Sequence, residues 1–250
     1  MYTFRTRFAK DIVCEFLPPH RPTKKQRVII FVDGAPSLPN KSDLMKFYSR
    51  KGFWTFHVHY RGSWESDGKF LAKSPEQDIF DVIKELPKGF QEFWANKRFK
   101  VVPDEIYVVG ASFGGTAALL ASLDKRVTKV IAIAPLVDWQ KLGPDEPFPK
   151  LMRFFPQAYG NAYRLSKDGW KKLKSGNFFN PIKNALKIDG SKILIIHAKD
   201  DRSCPYGATK RFSQITNAKL ITLPRGGHLG SSLLLKPRFY KIFTKFINAK

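Results

Sequence analysis

With 250 residues, 43% of them apolar and 22 of them Phe, the chain can bury one full core, which argues for a packed globule and against a disordered protein. The formal charge of +23, from 44 Lys and Arg against 21 Asp and Glu, raises nucleic acid, an anionic membrane or an anionic substrate as partners. The basic residues are scattered as singles and pairs such as Lys24-Lys25 and Lys171-Lys172, without a basic block or Arg-rich arm, and this reads as a lysine-rich solvated surface, with no nucleic acid and no membrane expected.

The N-terminal segment carries charge at Arg5, Arg7, Lys10 and Asp11, lacks the apolar stretch of a signal peptide, and reads as an antiparallel strand pair over residues 3–17. No run approaches the roughly 18 apolar residues of a membrane span. A cytoplasmic protein is expected. Cys14 and Cys204 are far apart with no CxxC spacing, which predicts free, buried thiols and neither a disulfide framework nor a zinc site.

Further along, short β-branched runs recur at Val28–Val32, Phe53–Tyr60, Ile106–Val109, Val130–Ala134, Ile193–Ile196 and Leu220–Leu223. Their unbroken apolar character predicts strands buried on both faces. Helical spacing fills the gaps: Ser42–Arg50, Pro75–Leu86 with Ser74 placed as its cap, Phe113–Leu123, Tyr206–Ile215, and Ser231–Ile247 with a break near Pro237. Alternation of this kind predicts a mostly parallel sheet with helices on both faces, in one domain over residues 1–250. Only the interval between Ala134 and Lys192 breaks the rhythm. It is long and aromatic, with helical pieces at 149–156 and 166–174, and residues 140–190 are expected to form a lid over a site.

Gly110-Ala111-Ser112-Phe113-Gly114 fits G-x-S-x-G and falls where a strand passes into a helix. Small neighbours let the corner residue take a strained backbone, which is what an exposed nucleophile at a strand end needs. A serine hydroxyl attacks only when a base removes its proton and a carboxylate orients that base. Two histidines follow Ser112. His197 closes a strand and reads as structural, whereas His228, in Arg-Gly-Gly-His-Leu-Gly, has the loop glycines that let a ring reach a neighbouring strand end. Three acids remain open as its partner: Asp201, favoured because Arg-Ser-Cys-Pro follows it, then Asp200 and Asp138. For the oxyanion, the amide of Phe113 at the helix start supplies one donor. The other is expected in Asp33-Gly34-Ala35-Pro36; Pro36 has no N–H, so Ala35 is preferred and Gly34 comes second.

The ordered set Gly-Ala-Ser-Phe-Gly-Gly, Asp-Gly-Ala-Pro, Tyr60–Gly68, His-Ala-Lys-Asp-Asp-Arg-Ser-Cys-Pro at 197–205 and Gly-Gly-His at 226–228 resembles the α/β-hydrolase superfamily over about residues 28–247. Within it, the chain is similar to stand-alone esterases and to the catalytic domains of prolyl-oligopeptidase-type peptidases. The resemblance implies an α/β-hydrolase fold, Ser112 as nucleophile, Asp201 as acid, His228 as base, and no metal or cofactor. The chain departs from it at Asp33-Gly34 and His197-Ala198, where the family commonly has His-Gly.

Cleavage of a small carboxylic ester is the expected activity. A small peptidase acting on short peptides would use the same groups, and a catalytically inactive binding protein is the reading from another class. Arg61, Trp64 and Trp139 are candidate substrate contacts, Arg61 being alternatively a structural ion-pair partner. Arg225 and Lys199 raise the possibility of a substrate carboxylate more weakly, and the Phe and Tyr residues of 148–179 could form an acyl pocket.

Overall fold

The computed structural model describes residues 2–249. Eight strands form one sheet: β1 (Phe4–Phe8), β2 (Ile12–Leu17), β3 (Arg27–Val32), β4 (Trp54–Val58), β5 (Glu105–Ala111), β6 (Lys129–Ile133), β7 (Ile193–Ala198) and β8 (Lys219–Leu223), in the spatial order β1-β2-β4-β3-β5-β6-β7-β8. From β4 to β8 every pair is parallel, and β1 and β2 add an antiparallel edge. The N-terminal hairpin and the six later strands therefore appear where the pattern places them. Two further short strands, Phe90–Gln91 and Arg98–Phe99, pair apart from the sheet.

Because β3 and β5 to β7 are apolar at nearly every position, both sheet faces must be covered. Helices α1 (Ser42–Arg50) and α7 (Pro237–Ile247) cover one face through Leu44, Met45, Tyr48, Phe239 and Phe243. On the other lie α2 (Glu76–Glu85) and α3 (Phe113–Ala121), through Ile79, Val82, Ile83 and Leu119, with α6 (Tyr206–Thr216) through Phe212. The break at Pro237 takes the form of a 3-10 turn, Ser231–Leu235, before α7. The fold is that of an α/β-hydrolase.

Residues 140–190 hold α4 (Phe148–Tyr159) and α5 (Lys167–Lys174). Both are amphipathic; Leu151 and Phe155 of α4 and Trp170 and Leu173 of α5 are buried. Ser74 does not cap α2 as expected: Pro75 is the N-cap, and the Ser74 hydroxyl bonds the Glu76 carboxylate. Its hydrogen goes to that charged acceptor, and no helix amide donates to its oxygen. Cys14 and Cys204 are free and buried, and among the described residues no helix is long and apolar enough to cross a membrane.

Candidate active site

Strands β3, β5, β7 and β8 run parallel, so the loops leaving their carboxyl ends meet at one end of the sheet. Ser112 follows β5 directly with φ 55° and ψ −122°, a conformation that costs about 1–3 kcal/mol for a residue with a side chain. Neighbouring glycines make the corner possible. A Cβ on Gly110 would lie 2.1 Å from the Gly114 carbonyl oxygen, and one on Gly114 would lie 2.6 Å from that of Asp33. The corner is fixed further by the Ser112 amide, which donates to Ile133 at 2.9 Å.

Asp201 lies in the loop after β7, its side chain wholly buried. Its Oδ1 accepts from the amides of Ser203 and Cys204, each at 2.9 Å. Oδ2 faces two imidazoles: Nδ1 of His228 at 2.9 Å and Nε2 of His197 at 3.1 Å. Burial pushes the Asp201 carboxyl up, but the hydrogen bonds from both histidines and from the Cys204 amide outweigh it and hold the group well below the usual carboxylate range. For His228 burial disfavours the charge, and the Asp201 contact overcomes this and raises the imidazole above its ordinary value. An ionised carboxylate only accepts, so Nδ1 of His228 carries hydrogen, and in the neutral ring Nε2 keeps its lone pair.

The other acids have local duties. Asp200 Oδ1 accepts from the Gly227 amide at 2.9 Å, bracing the loop that carries His228, and Asp138 Oδ1 accepts from the Gln140 amide at 3.0 Å within its own turn. Nε2 of His197 also meets the Cys204 carbonyl at 3.0 Å, so the ring ties the Asp201 loop together from beneath. The Ser112 hydroxyl adjoins the thiol of Cys204, which burial and the nearby charges of Asp201 and Glu146 push well up and keep protonated.

Ser112 and His228 share a cavity of about 700 Å³ with Gly34, Ala35, Lys41, Leu151 and Phe154. Gly34 lies beside the corner: a Cβ built on it would stand at ordinary contact distance, 3.7 Å, from Cβ of Ser112. The Ala35 and Phe113 amides, the expected oxyanion donors, thus belong to the loop and the helix that meet at Ser112. Asp33 is buried; its carboxylate bonds Nε2 of His57 at 2.6 Å and Nζ of Lys41.

The three expected substrate contacts lie elsewhere. The Arg61 guanidinium is taken up by Asp11 and Asp81, each at 2.7 Å, and by Asp78, leaving no nitrogen for a substrate. Trp64 supports the oxyanion-side loop from behind, donating Nε1–H to the Ser37 carbonyl at 3.2 Å. Trp139 is buried against Phe113 and Phe179, its Nε1–H bound to the Phe179 carbonyl at 2.8 Å. None of the three lines the cavity that holds Ser112. What does line it, Lys41, Leu44, Lys150, Leu151, Phe154 and Leu229 among others, has no motif; only the aromatic density of 148–179 pointed toward Phe154.

Residues 40–250 match the prolyl oligopeptidase family. Among curated proteins, human Protein ABHD12B is 25% identical over 215 residues, a match covering 80% of this chain and 54% of that protein. Among solved structures, an acylaminoacyl peptidase in complex with Z-Gly-Gly-Phe-chloromethyl ketone superposes with a TM-score of 0.65 at 20% identity, covering 100% of this chain and 41% of its own. The esterase Est1E from Butyrivibrio proteoclasticus, with ferulic acid bound, superposes at 0.70 with 19% identity, covering 98% of this chain and 99% of its own. The chain therefore spans about half of the curated relative and the whole of the smaller esterase.

Proposed function

The chain belongs to the prolyl oligopeptidase family and is a hydrolase of the α/β-hydrolase fold, and from that premise we propose that it is a serine hydrolase cleaving carboxylic esters with short to medium acyl or aromatic groups. The observation that carries the reading is the 2.9 Å contact between Asp201 and His228 at the mouth of the cavity that Ser112 enters on its strained corner.

In this reading a turn about the Cα–Cβ bond of Ser112 brings its hydroxyl from Cys204 to Nε2 of His228. His228 takes the proton as the oxygen attacks the ester carbonyl, and the amides of Phe113 and Ala35 receive the charge on the tetrahedral oxygen, each worth about 3–4 kcal/mol. His228 then protonates the leaving alcohol, and a water repeats the sequence on the acyl-enzyme. Asp201 stays ionised throughout and fixes the ring. Residues 140–190 act as a lid, with α4 forming one wall of the acyl pocket. The chemistry calls on no metal or cofactor.

The likeness to an acylaminoacyl peptidase supports a second reading, cleavage of short peptides by the same groups. Rates on p-nitrophenyl acetate, butyrate and decanoate beside an aminoacyl-nitroanilide, for the wild type and Ser112→Ala, separate the two. Ester turnover that disappears in the variant supports the esterase; anilide cleavage outpacing the esters moves the assignment to peptidase. Turnover that survives Ser112→Ala sinks both.

A further inference from the structure

Glu15 of β2 pairs directly with His57 of β4, and His59 follows two residues on, its amide continuing the ladder to the Val13 carbonyl at 3.1 Å. The three side chains therefore share one face of the sheet. All three residues are buried, and one donor atom from each lies within 4.8 Å of the others. Glu15 Oε2 and Nδ1 of His57 are 3.3 Å apart, which is about the edge of a tetrahedron around an ion whose ligands sit roughly 2.0–2.1 Å away. Nε2 of His59 is buried with no hydrogen-bond partner among the described residues, and an unsatisfied buried nitrogen costs about 1–3 kcal/mol.

We propose that Glu15, His57 and His59 bind a divalent first-row cation of the zinc class. The surroundings are those of metal ligands. Each histidine is held through its other ring nitrogen by a carboxylate, Nε2 of His57 by Asp33 at 2.6 Å and Nδ1 of His59 by Glu65 at 2.9 Å, the arrangement that fixes the tautomer and raises the basicity of a ligating imidazole. Arg5 bonds Oε1 of Glu15 at 3.3 Å and Oε1 of Glu65 at 3.1 Å, which leaves Oε2 of Glu15 for the ion. A water completes the tetrahedron. On entry the cation replaces the hydrogen that Nδ1 of His57 shares with Glu15, and that proton leaves to solvent, so affinity rises with pH. The bound ion would pin β2 to β4 and, through Asp33, the start of the oxyanion-side loop.

The experiment is a Zn²⁺ titration of the EDTA-dialysed full chain, followed by thermal melting, with bound metal counted after gel filtration. Wild type should retain one equivalent and melt about 5–10 °C higher at a hundredfold excess over Kd. His59→Gln should lose the equivalent and the rise. Should that variant fold poorly, Glu65→Gln, changed at a half-exposed position, should fold and bind about 10- to 100-fold more weakly. No retained metal and no rise in the wild type would overturn the proposal. So would retention at full affinity in both variants, because the ion would then sit elsewhere.

Discussion

Asp201 Oδ2 lies 2.9 Å from Nδ1 of His228, although the two residues leave different strands. The contact leaves Nε2 as the basic nitrogen on the cavity side. Asp201→Asn should break this orientation, because the amide can present N–H to Nδ1 and reverse the tautomer. A loss in kcat on the order of 10³–10⁴ is expected, with KM for p-nitrophenyl butyrate changed less than threefold. A loss below tenfold would remove Asp201 from the proposed mechanism.

The same pair sets the pH response. The base must be neutral to act, and Asp201 raises the His228 imidazole above its ordinary 6.5. The acid limb of kcat/KM should therefore have its midpoint above 6.5 and move lower in the residual activity of Asp201→Asn; an unmoved limb would contradict the assignment.

Stability follows the opposite member of the pair. The Asp201 carboxyl titrates below its ordinary 3.8 in the fold, so its stabilising contribution is present above 3.8 and is lost as pH falls toward the folded value. Urea midpoints of wild type and Asp201→Asn should differ at pH 7 and converge on acidification. His228, raised in the fold, contributes below 6.5 and loses that contribution as pH climbs through its folded value.

Glycines in the fold are unequal, which gives a fourth prediction. Gly114→Ala drives a methyl to 2.6 Å from a backbone oxygen of Asp33, and neither α3 nor the loop after β3 can move without displacing Ser112 or Ala35. A destabilisation of about 1–3 kcal/mol is expected, with activity falling further than stability explains. Gly207→Ala, in α6 and with nothing within 4 Å of the new methyl, should instead gain about 0.5–1 kcal/mol. Equal effects on melting temperature would refute the steric account.

What the sequence reveals and what it hides divide along physical lines. The corner at Ser112 is legible because its geometry is local: Gly110, Gly114 and the strand-to-helix switch lie within a few residues. The parallel sheet is legible because β3 and β5 to β7 are apolar at consecutive positions. Choosing Asp201 over Asp200 or Asp138 from residues alone rests on which carboxylate turns inward, and only the buried contact of Asp201 with two rings distinguishes them. For Arg61 the ion-pair reading holds, but its partners Asp11, Asp78 and Asp81 are distant in sequence and could not be named from it. The Asp33–His57 contact, joining β3 to β4, has no linear signal at all.

The cavity wall offers the last prediction. Phe154 projects from α4, 45% exposed, beside Leu151, with Leu229 and Leu235 also on the wall. Fully burying an aromatic or aliphatic side chain is worth about 1.5–3 kcal/mol, so half of a Phe face against an acyl chain gives roughly tenfold in kcat/KM. Phe154→Ala should lower decanoate turnover by about that factor and leave acetate within twofold, since a two-carbon acyl group does not extend from Ser112 to α4. Its exposure keeps the fold largely indifferent to the change, so melting temperature serves as the control. Acetate and decanoate falling together would mean that Phe154 acts on the reacting groups, and α4 would lose its role as acyl wall.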